Sequence, residues 1–284
     1  MRTKLRSVIE DHPENIANYG FKANDVAALL EGSTKARQSL FWRELIDGQL
    51  DADRMDYLLR DSYHIGVQYG KFDLNRLIQT LQAIPSDEGG STRVGITEGG
   101  FHAVEALVLA RYFMFTQVYF HKTRVAFDVH LRGALSNLLP DGVFPKPTEG
   151  EISKYLDWDD WKVLGLLADG KGGDDGCRLA SRNHFRCAYH TPEVSTLQDM
   201  VCLARIREGL RHWIKAEESA SKSWYKTGTP DIRVKMDVGK PMPLSSCSSV
   251  LSNLKANNQV LLYVLPENAQ EAKKIAEVLQ NECH

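Results

Sequence analysis

The chain has 284 residues, 43% of them hydrophobic, enough to bury a substantial core as one large domain or as a helical core with an appended lobe. With 35 Lys and Arg against 37 Asp and Glu, it lacks the broad basic surface of a dedicated nucleic-acid binder, although local clusters leave nucleic acid open as a weaker partner. No window offers the roughly 18 apolar residues of a membrane span or the apolar run of a signal peptide, and the five cysteines are scattered and never spaced C-x-x-C, so a cytoplasmic chain with reduced thiols is expected.

Taken in chain order, Asn24 to Gly32 reads as a short helix with an N-cap Asn and a terminal Gly, and Ser39 to Leu45 as another. From Asp51 to Gly66 the polar residues of a helix converge. At 3.6 residues per turn Asp53, Tyr57, Arg60, Asp61 and His64 fall within about a third of the circumference, with Met55, Leu58, Leu59 and Ile65 on the opposite face. Carboxylates, a guanidinium, a phenol and an imidazole in ordered turns suggest the wall of a site. The plain alternative is a solvated face laced by pairs such as Asp56 with Arg60.

Phe72 to Ile84 continues helical, Pro85 to Ser91 is a loop, Thr92 to Thr97 alternates like a strand, and Gly99-Gly100 breaks it. A long helical run from Phe101 to about Leu138 should form the spine, ended by Leu139 to Pro147. Thr148 to Glu151 carries a capping-box signature for the next helix, and another short helix lies near Trp158 to Leu167. Lys171 to Gly176 is Gly-rich without the spacing and trailing Lys-Ser/Thr of a phosphate-binding loop, and reads as a surface turn. Leu197 to Ile214 is helical. Gln259 to Leu265 is an apolar strand with which Arg233 to Asp237 could pair, and Glu267 to Gln280 is an amphipathic helix.

The block Asp53-Arg54-Met55-Asp56-Tyr57-Leu58-Leu59-Arg60-Asp61, followed by His64-Ile65-Gly66 and Phe72-Asp73-Leu74-Asn75-Arg76, closely resembles the metal-dependent HD-domain phosphohydrolases. Within these it is most similar to the deoxynucleoside triphosphate (dNTP) triphosphohydrolases, both dGTPase-like and SAM-and-HD-domain enzymes. A second block, Ala110 to Phe115 and Gln117 to Arg124, resembles the helix that follows in the same family. The fold expected is mainly α, with residues 1–140 as the C-terminal part of an HD-domain helical core, 141–225 as a helical extension and 226–284 as a small α/β C-terminal lobe.

The resemblance implies hydrolysis of dNTPs to deoxynucleoside and tripolyphosphate with a divalent metal (Mn, Mg, Fe or Zn). Asp53 would be the metal ligand and, with Arg54, a catalytic residue. Arg54 and Arg111 would offset phosphate charge, Tyr57 would lie under the sugar, Asp61 near its 3′-hydroxyl, and Tyr119 would also position it. Arg111 and Tyr119, eight residues apart, lie roughly on one side of a continuous helix. Arg182-Asn-His-Phe-Arg186 resembles a segment that in the SAM-and-HD enzymes contacts an activating nucleotide at a subunit interface. Arg76 and Lys122 match other basic positions of that pocket, which implies a homo-oligomer. The alternative is that these are ordinary surface cations.

The chain departs from the family at its signature. None of the nine histidines is followed by aspartate, so the adjacent His-Asp pair is absent, and a metal held by one carboxylate is weakly bound. Three readings follow: a fragment or late-start product, a partner chain supplying the missing HD ligands, or a catalytically inactive nucleotide-binding homologue. His12 is a substitute ligand or an ordinary surface histidine. A further alternative is an HD phosphohydrolase acting on a different phosphoester or on single-stranded nucleic acid, with strongly salt-dependent binding.

Overall fold

The computed structural model describes residues 5–31, 37–85, 92–148, 150–220 and 231–283, with side chains at all of these except 37–40. The chain divides into two units, one of residues 1–114 and 224–254, the other of residues 115–223 and 255–284. The first begins with Arg6–Glu10 (α1), a π-helical turn at Asn15–Tyr19, and Ala23–Glu31 (α2). Asn15 is nearly buried and ties the turn down by donating to the carbonyls of Ile9 and Phe21 at 2.8 and 2.9 Å. Asp25 rather than Asn24 supplies the acceptor at the start of α2, taking the Lys22 N–H at 2.7 Å, and Gly32 lies outside the described residues.

Arg37–Asp47 (α3) spans the second expected helix, and Ala52–Ile65 (α4) is the polar-faced one. Met55, Leu58 and Ser62 form the buried stripe of α4. Ile65 departs from it at 52% exposed, because Gly66 at φ 80° takes the left-handed cap and turns the chain away at once. Leu74–Thr80 (α5) stops four residues before the sequence reading. Leu81–Pro85 (β1) instead pairs antiparallel with Thr92–Thr97 (β2), Leu81 opposite Ile96 and Pro85 opposite Thr92. Long-range pairing overrides the helical period here, and Ile84 and Ile96 are fully buried in the extended form. Residues 86–91 of the expected loop lie outside the described residues. Glu44 of α3 locks β2 by accepting from Arg93 Nε at 2.6 Å and Val94 N–H at 2.7 Å. Phe101–Met114 (α6) follows.

The expected single spine is two helices. A π-helical turn at Phe115–Tyr119 precedes Lys122–Leu138 (α7), with the Phe120 N–H reaching the Phe115 carbonyl at 2.7 Å. The five-residue offset brings the Phe115 and Phe120 rings into a stack at 5.8 Å, which regular α-helical spacing does not provide. Next come Ile152–Leu156 (α8) and Asp160–Ala168 (α9). The capping box expected at Thr148 does not form: α8 starts at Ile152 and Thr148 contributes its backbone carbonyl to the Glu151 N–H, while Glu149 lies outside the described residues.

The Gly-rich segment read as a surface turn opens a helix, Gly173–Ala180 (α10), because Asp174 and Asp175 favour a helix N-terminus and Asp175 reaches His130 of α7. Arg186–His190 (β3) leads to Leu197–Gly209 (α11), which is opened by a reciprocal Thr196/Asp199 cap. The helix expected to run to Ile214 ends at Gly209, and Ile214–Ser219 (β4) is a strand.

Arg233–Lys235 (β5) and Met242–Pro243 (β6) belong to the first unit, followed by Leu244–Cys247 (α12) and Ser249–Ser252 (α13). β5 runs parallel to β2 in the sheet β1-β2-β5-β6, which corrects the expected pairing with the C-terminal strand. That strand, Val260–Val264 (β7), is central in the antiparallel sheet β3-β7-β4. All five of its residues are buried, which is why it reads as an unbroken apolar run. Val260, Leu262 and Val264 face a core with Leu203, Ile206 and Ala276, while Leu261 and Tyr263 face Val125 and Ala126 of α7. The last helix, Ala269–Asn281 (α14), packs with α11. The fold is thus mainly α with a small α/β lobe at the C-terminal end. The five cysteines are free thiols, and no described helix is long and apolar enough to cross a membrane.

Candidate functional site

The start of α4 is organised around Asp51. Its Oδ1 accepts the Arg54 N–H at 2.7 Å as N-cap, and its Oδ2 lies 2.8 Å from Arg54 Nη1. The carboxylate is nearly buried and the guanidinium largely so, at 4% and 17% side-chain exposure. Burial is the main force raising the Asp51 pKa; the Arg54 N–H and the Arg54 and Arg111 charges oppose it, and Asp53 adds to it. The folded chain therefore takes up the extra proton, and stability from this group rises as pH falls through its raised value.

Arg111, on α6, reaches the same place. Its Nη1 donates to Gln49 Oε1 at 3.2 Å. Its pKa is pulled down to about 10, first by burial and then by the charge of Arg54, with Tyr57 and Asp51 acting the other way. One buried carboxylate thus faces two desolvated guanidiniums, an arrangement suited to attracting an anion. Asp51→Ala removes both the cap and the counter-charge and is expected to cost about 2 kcal/mol, while Asp51→Asn, which can still cap, costs less. Urea unfolding of both variants checks this, and equal losses would show that the cap contributes nothing.

The expected polar face of α4 divides. Tyr57 and Asp61 are half-buried, whereas Asp53, Arg60 and His64 are exposed. Arg60 pairs with Asp56 at 3.0 Å and with Asp61 at 3.7 Å, the solvated pairing that was the plain alternative. The His64 ring lies edge-on to Tyr63. Beside it an apolar groove of about 660 Å³ runs between α4 and α5, lined by Leu50, Met55, Leu59 and Ile78 with Arg60 and His64 at its rim. None of Asp53, Arg54, Tyr57 or Arg111 lines it, so this groove is separate from the charged site.

The donor set does not fit a divalent metal. Among the described residues no three His, Cys, Asp or Glu side chains gather to hold one. Asp53 stands exposed at the helix start, and exposed His12 takes the Glu14 N–H at 3.3 Å in a local turn.

The remaining expected positions lie apart. Tyr119 belongs to the second unit, where its carbonyl accepts from Arg124 Nη1 at 2.6 Å, so the single helix face expected to carry it with Arg111 is broken by the π-helical turn. Arg182, at φ 55°, and Arg186 flank His184, whose ring packs on Phe127 at 4.7 Å and lies against the Arg186 guanidinium. Burial lowers the His184 pKa first, the hydrogen bond to the Arg182 carbonyl opposes it, and the Arg186 charge lowers it further. Lys122 is exposed in the same unit. Arg76 is in the first unit, donating twice to the Gly99 carbonyl at 3.1 and 2.8 Å. Sequence reasoning missed Asp51 and Gln49. Asp51 was legible as an N-cap, being an Asp immediately ahead of an apolar-periodic run, whereas nothing in the local pattern marked Gln49.

A family model described as the HD associated region matches residues 72–214. The uncharacterized protein YwfO of Bacillus subtilis is 41% identical over 107 residues, which is 38% of this chain and 23% of that protein. An uncharacterized protein of Methanocaldococcus jannaschii is 42% identical over 92 residues, 32% of this chain and 20% of that one. The chain therefore spans about a fifth to a quarter of the length of these curated relatives. A hypothetical protein from Aquifex aeolicus superposes with a TM-score of 0.74 at 26% identity, covering 95% of this chain and 70% of the other. A phosphohydrolase from Bacteroides thetaiotaomicron does so at 0.61 and 20% identity, covering 91% and 70%, a likeness of fold.

Proposed function

The chain belongs to the HD-associated region family, and from that premise we propose that it is an HD-superfamily phosphohydrolase whose own residues bind and orient a dNTP for cleavage to deoxynucleoside and tripolyphosphate. The observation that carries this reading is the pair of desolvated arginines, Arg54 and Arg111, around the single buried carboxylate of Asp51. A triphosphate is the anion such a pair is suited to, since planar guanidiniums can each take two phosphate oxygens. Tyr57, electrostatically coupled to Arg111, gives the sugar a flat face, and Asp61 on the next turn gives its hydroxyl an acceptor. The phosphohydrolase from B. thetaiotaomicron, alike in fold, supports the reaction class.

Such enzymes use a divalent metal, and the residues described here supply at most Asp53 toward it. This favours a second reading, in which the chain is a nucleotide-binding homologue completed by a partner that brings the other ligands. A regulatory nucleotide between copies of the chain, held by Arg182 and Arg186 with Lys122 and Arg76, belongs to the same proposal. The cationic collar around His184 supports it.

The test is equilibrium binding of each dNTP alongside tripolyphosphate release with Mn²⁺ or Mg²⁺. Release that disappears in Asp53→Ala establishes the enzyme; tight binding without release establishes the second reading; no binding by a folded sample sinks both. A deoxyribonucleotide should bind more tightly than its ribonucleotide, and Tyr57→Ala should narrow that gap to within about threefold, roughly 0.6 kcal/mol. An unchanged gap would remove Tyr57 from the sugar site.

A further inference from the structure

The two arginines are held by different kinds of partner, and the difference sets the charge of the site. Arg54 is neutralised by a carboxylate, Asp51, while Arg111 is held by a neutral amide, the Oε1 of Gln49 at 3.2 Å. Gln49 and Asp51 sit two residues apart on one turn, and that turn is anchored by Leu50, 3% exposed, and by the cap that Asp51 makes on α4. The amide oxygen can orient a guanidinium as a carboxylate would without cancelling its charge.

We propose that Gln49 is a positioning residue that fixes the Arg111 guanidinium while sparing its charge, so that this cation stays available to a condensed phosphate chain. The inference rests on the dNTP reading for its ligand but not for its geometry. Asp51 sets Arg54 and the helix start, Gln49 sets Arg111, and the order Gln-x-Asp gives one cation a carboxylate as its hydrogen-bond partner and the other an amide. A glutamate in place of Gln49 would preserve the acceptor and offset the Arg111 charge, whereas an alanine would preserve the charge and release the side chain.

The test compares wild type, Gln49→Glu and Gln49→Ala by titration with inorganic tripolyphosphate at several salt concentrations, and by ¹⁵N spectra of the arginine side chains without ligand. Gln49→Glu should lower tripolyphosphate affinity at least tenfold and flatten its salt dependence, while keeping the ordered Arg111 side-chain signal. Gln49→Ala should lose that ordered signal and retain the wild-type salt dependence with weaker binding. If Gln49→Glu binds tripolyphosphate as wild type does, or if the Arg111 signal is unchanged in Gln49→Ala, the proposal is overturned. If wild type binds no dNTP but the spectra respond as stated, the positioning role stands and the nucleotide reading fails.

Discussion

If the chain binds a dNTP as proposed, Arg111→Met should lower that affinity by about a hundredfold and leave the free protein as stable as before or more so. Both halves follow from one fact: Arg111 is a cation held in a desolvated place beside another cation, Arg54, with its pKa pulled down to about 10. Keeping that charge costs the folded state at every pH below about 10. The penalty is relieved only above that value, where the folded form sheds the proton before the unfolded one does. Methionine fills much of the same volume without a charge, so the fold is relieved of the repulsion, as often happens when a buried charge gives way to an apolar side chain. On the proposed reading the ligand would lose two charge-assisted hydrogen bonds, together worth about 3 kcal/mol, which is roughly a hundredfold in affinity. Arg111→Lys restores the charge but not the planar fork, and should recover little of the binding. Calorimetric titration together with thermal unfolding decides the matter. A methionine variant that binds normally but unfolds more easily would make Arg111 a structural residue.

The same arginine shows how far the sequence could be read. α4 was legible because fourteen residues of consistent periodicity leave little choice of structure, and β7 because five apolar residues in a row suit a strand covered on both faces. β1 was not, since Leu81–Pro85 carries no alternation of its own and is extended only because β2, eleven residues from Leu81, pairs with it. α10 was hidden for a related reason: three glycines read as a turn, and what makes the segment helical is Asp175 meeting a histidine 45 residues away. The site divides along the same line. Arg54 and Tyr57 share a helix, Arg111 was expected through the family resemblance and Asp51 was legible as an N-cap, whereas Gln49 enters only through its tertiary contact with Arg111, which no local pattern encodes.

His130→Leu should cost the fold about 3 to 4 kcal/mol. His130 is fully buried and both ring nitrogens are engaged: Nε2 accepts the Phe185 N–H at 3.0 Å, and Nδ1 lies 2.7 Å from Asp175 Oδ1. Since Nε2 accepts, the proton is on Nδ1 and donates to the carboxylate, so a neutral imidazole joins α7, α10 and the approach to β3. The approach of Asp175 is possible because residue 133, one turn further along α7, is glycine; a Cβ there would lie 1.9 Å from Asp175 Oδ2. Leucine matches the bulk of the ring but strands the Phe185 N–H and removes the donor to Asp175, each a loss of about 1 to 3 kcal/mol, the second discounted because Asp175 keeps some contact with water. Asp175→Asn, which keeps an acceptor, should cost about 1 kcal/mol. Urea unfolding followed by circular dichroism checks both, and a His130→Leu variant within 1 kcal/mol of the parent would refute the account. The pair also bears on the chemistry. It joins a histidine to an aspartate, as the family's absent signature does, but with no exposed ring nitrogen and both nitrogens already bonded, His130 can neither ligate a metal nor move a substrate proton, so its role is to hold the second unit together.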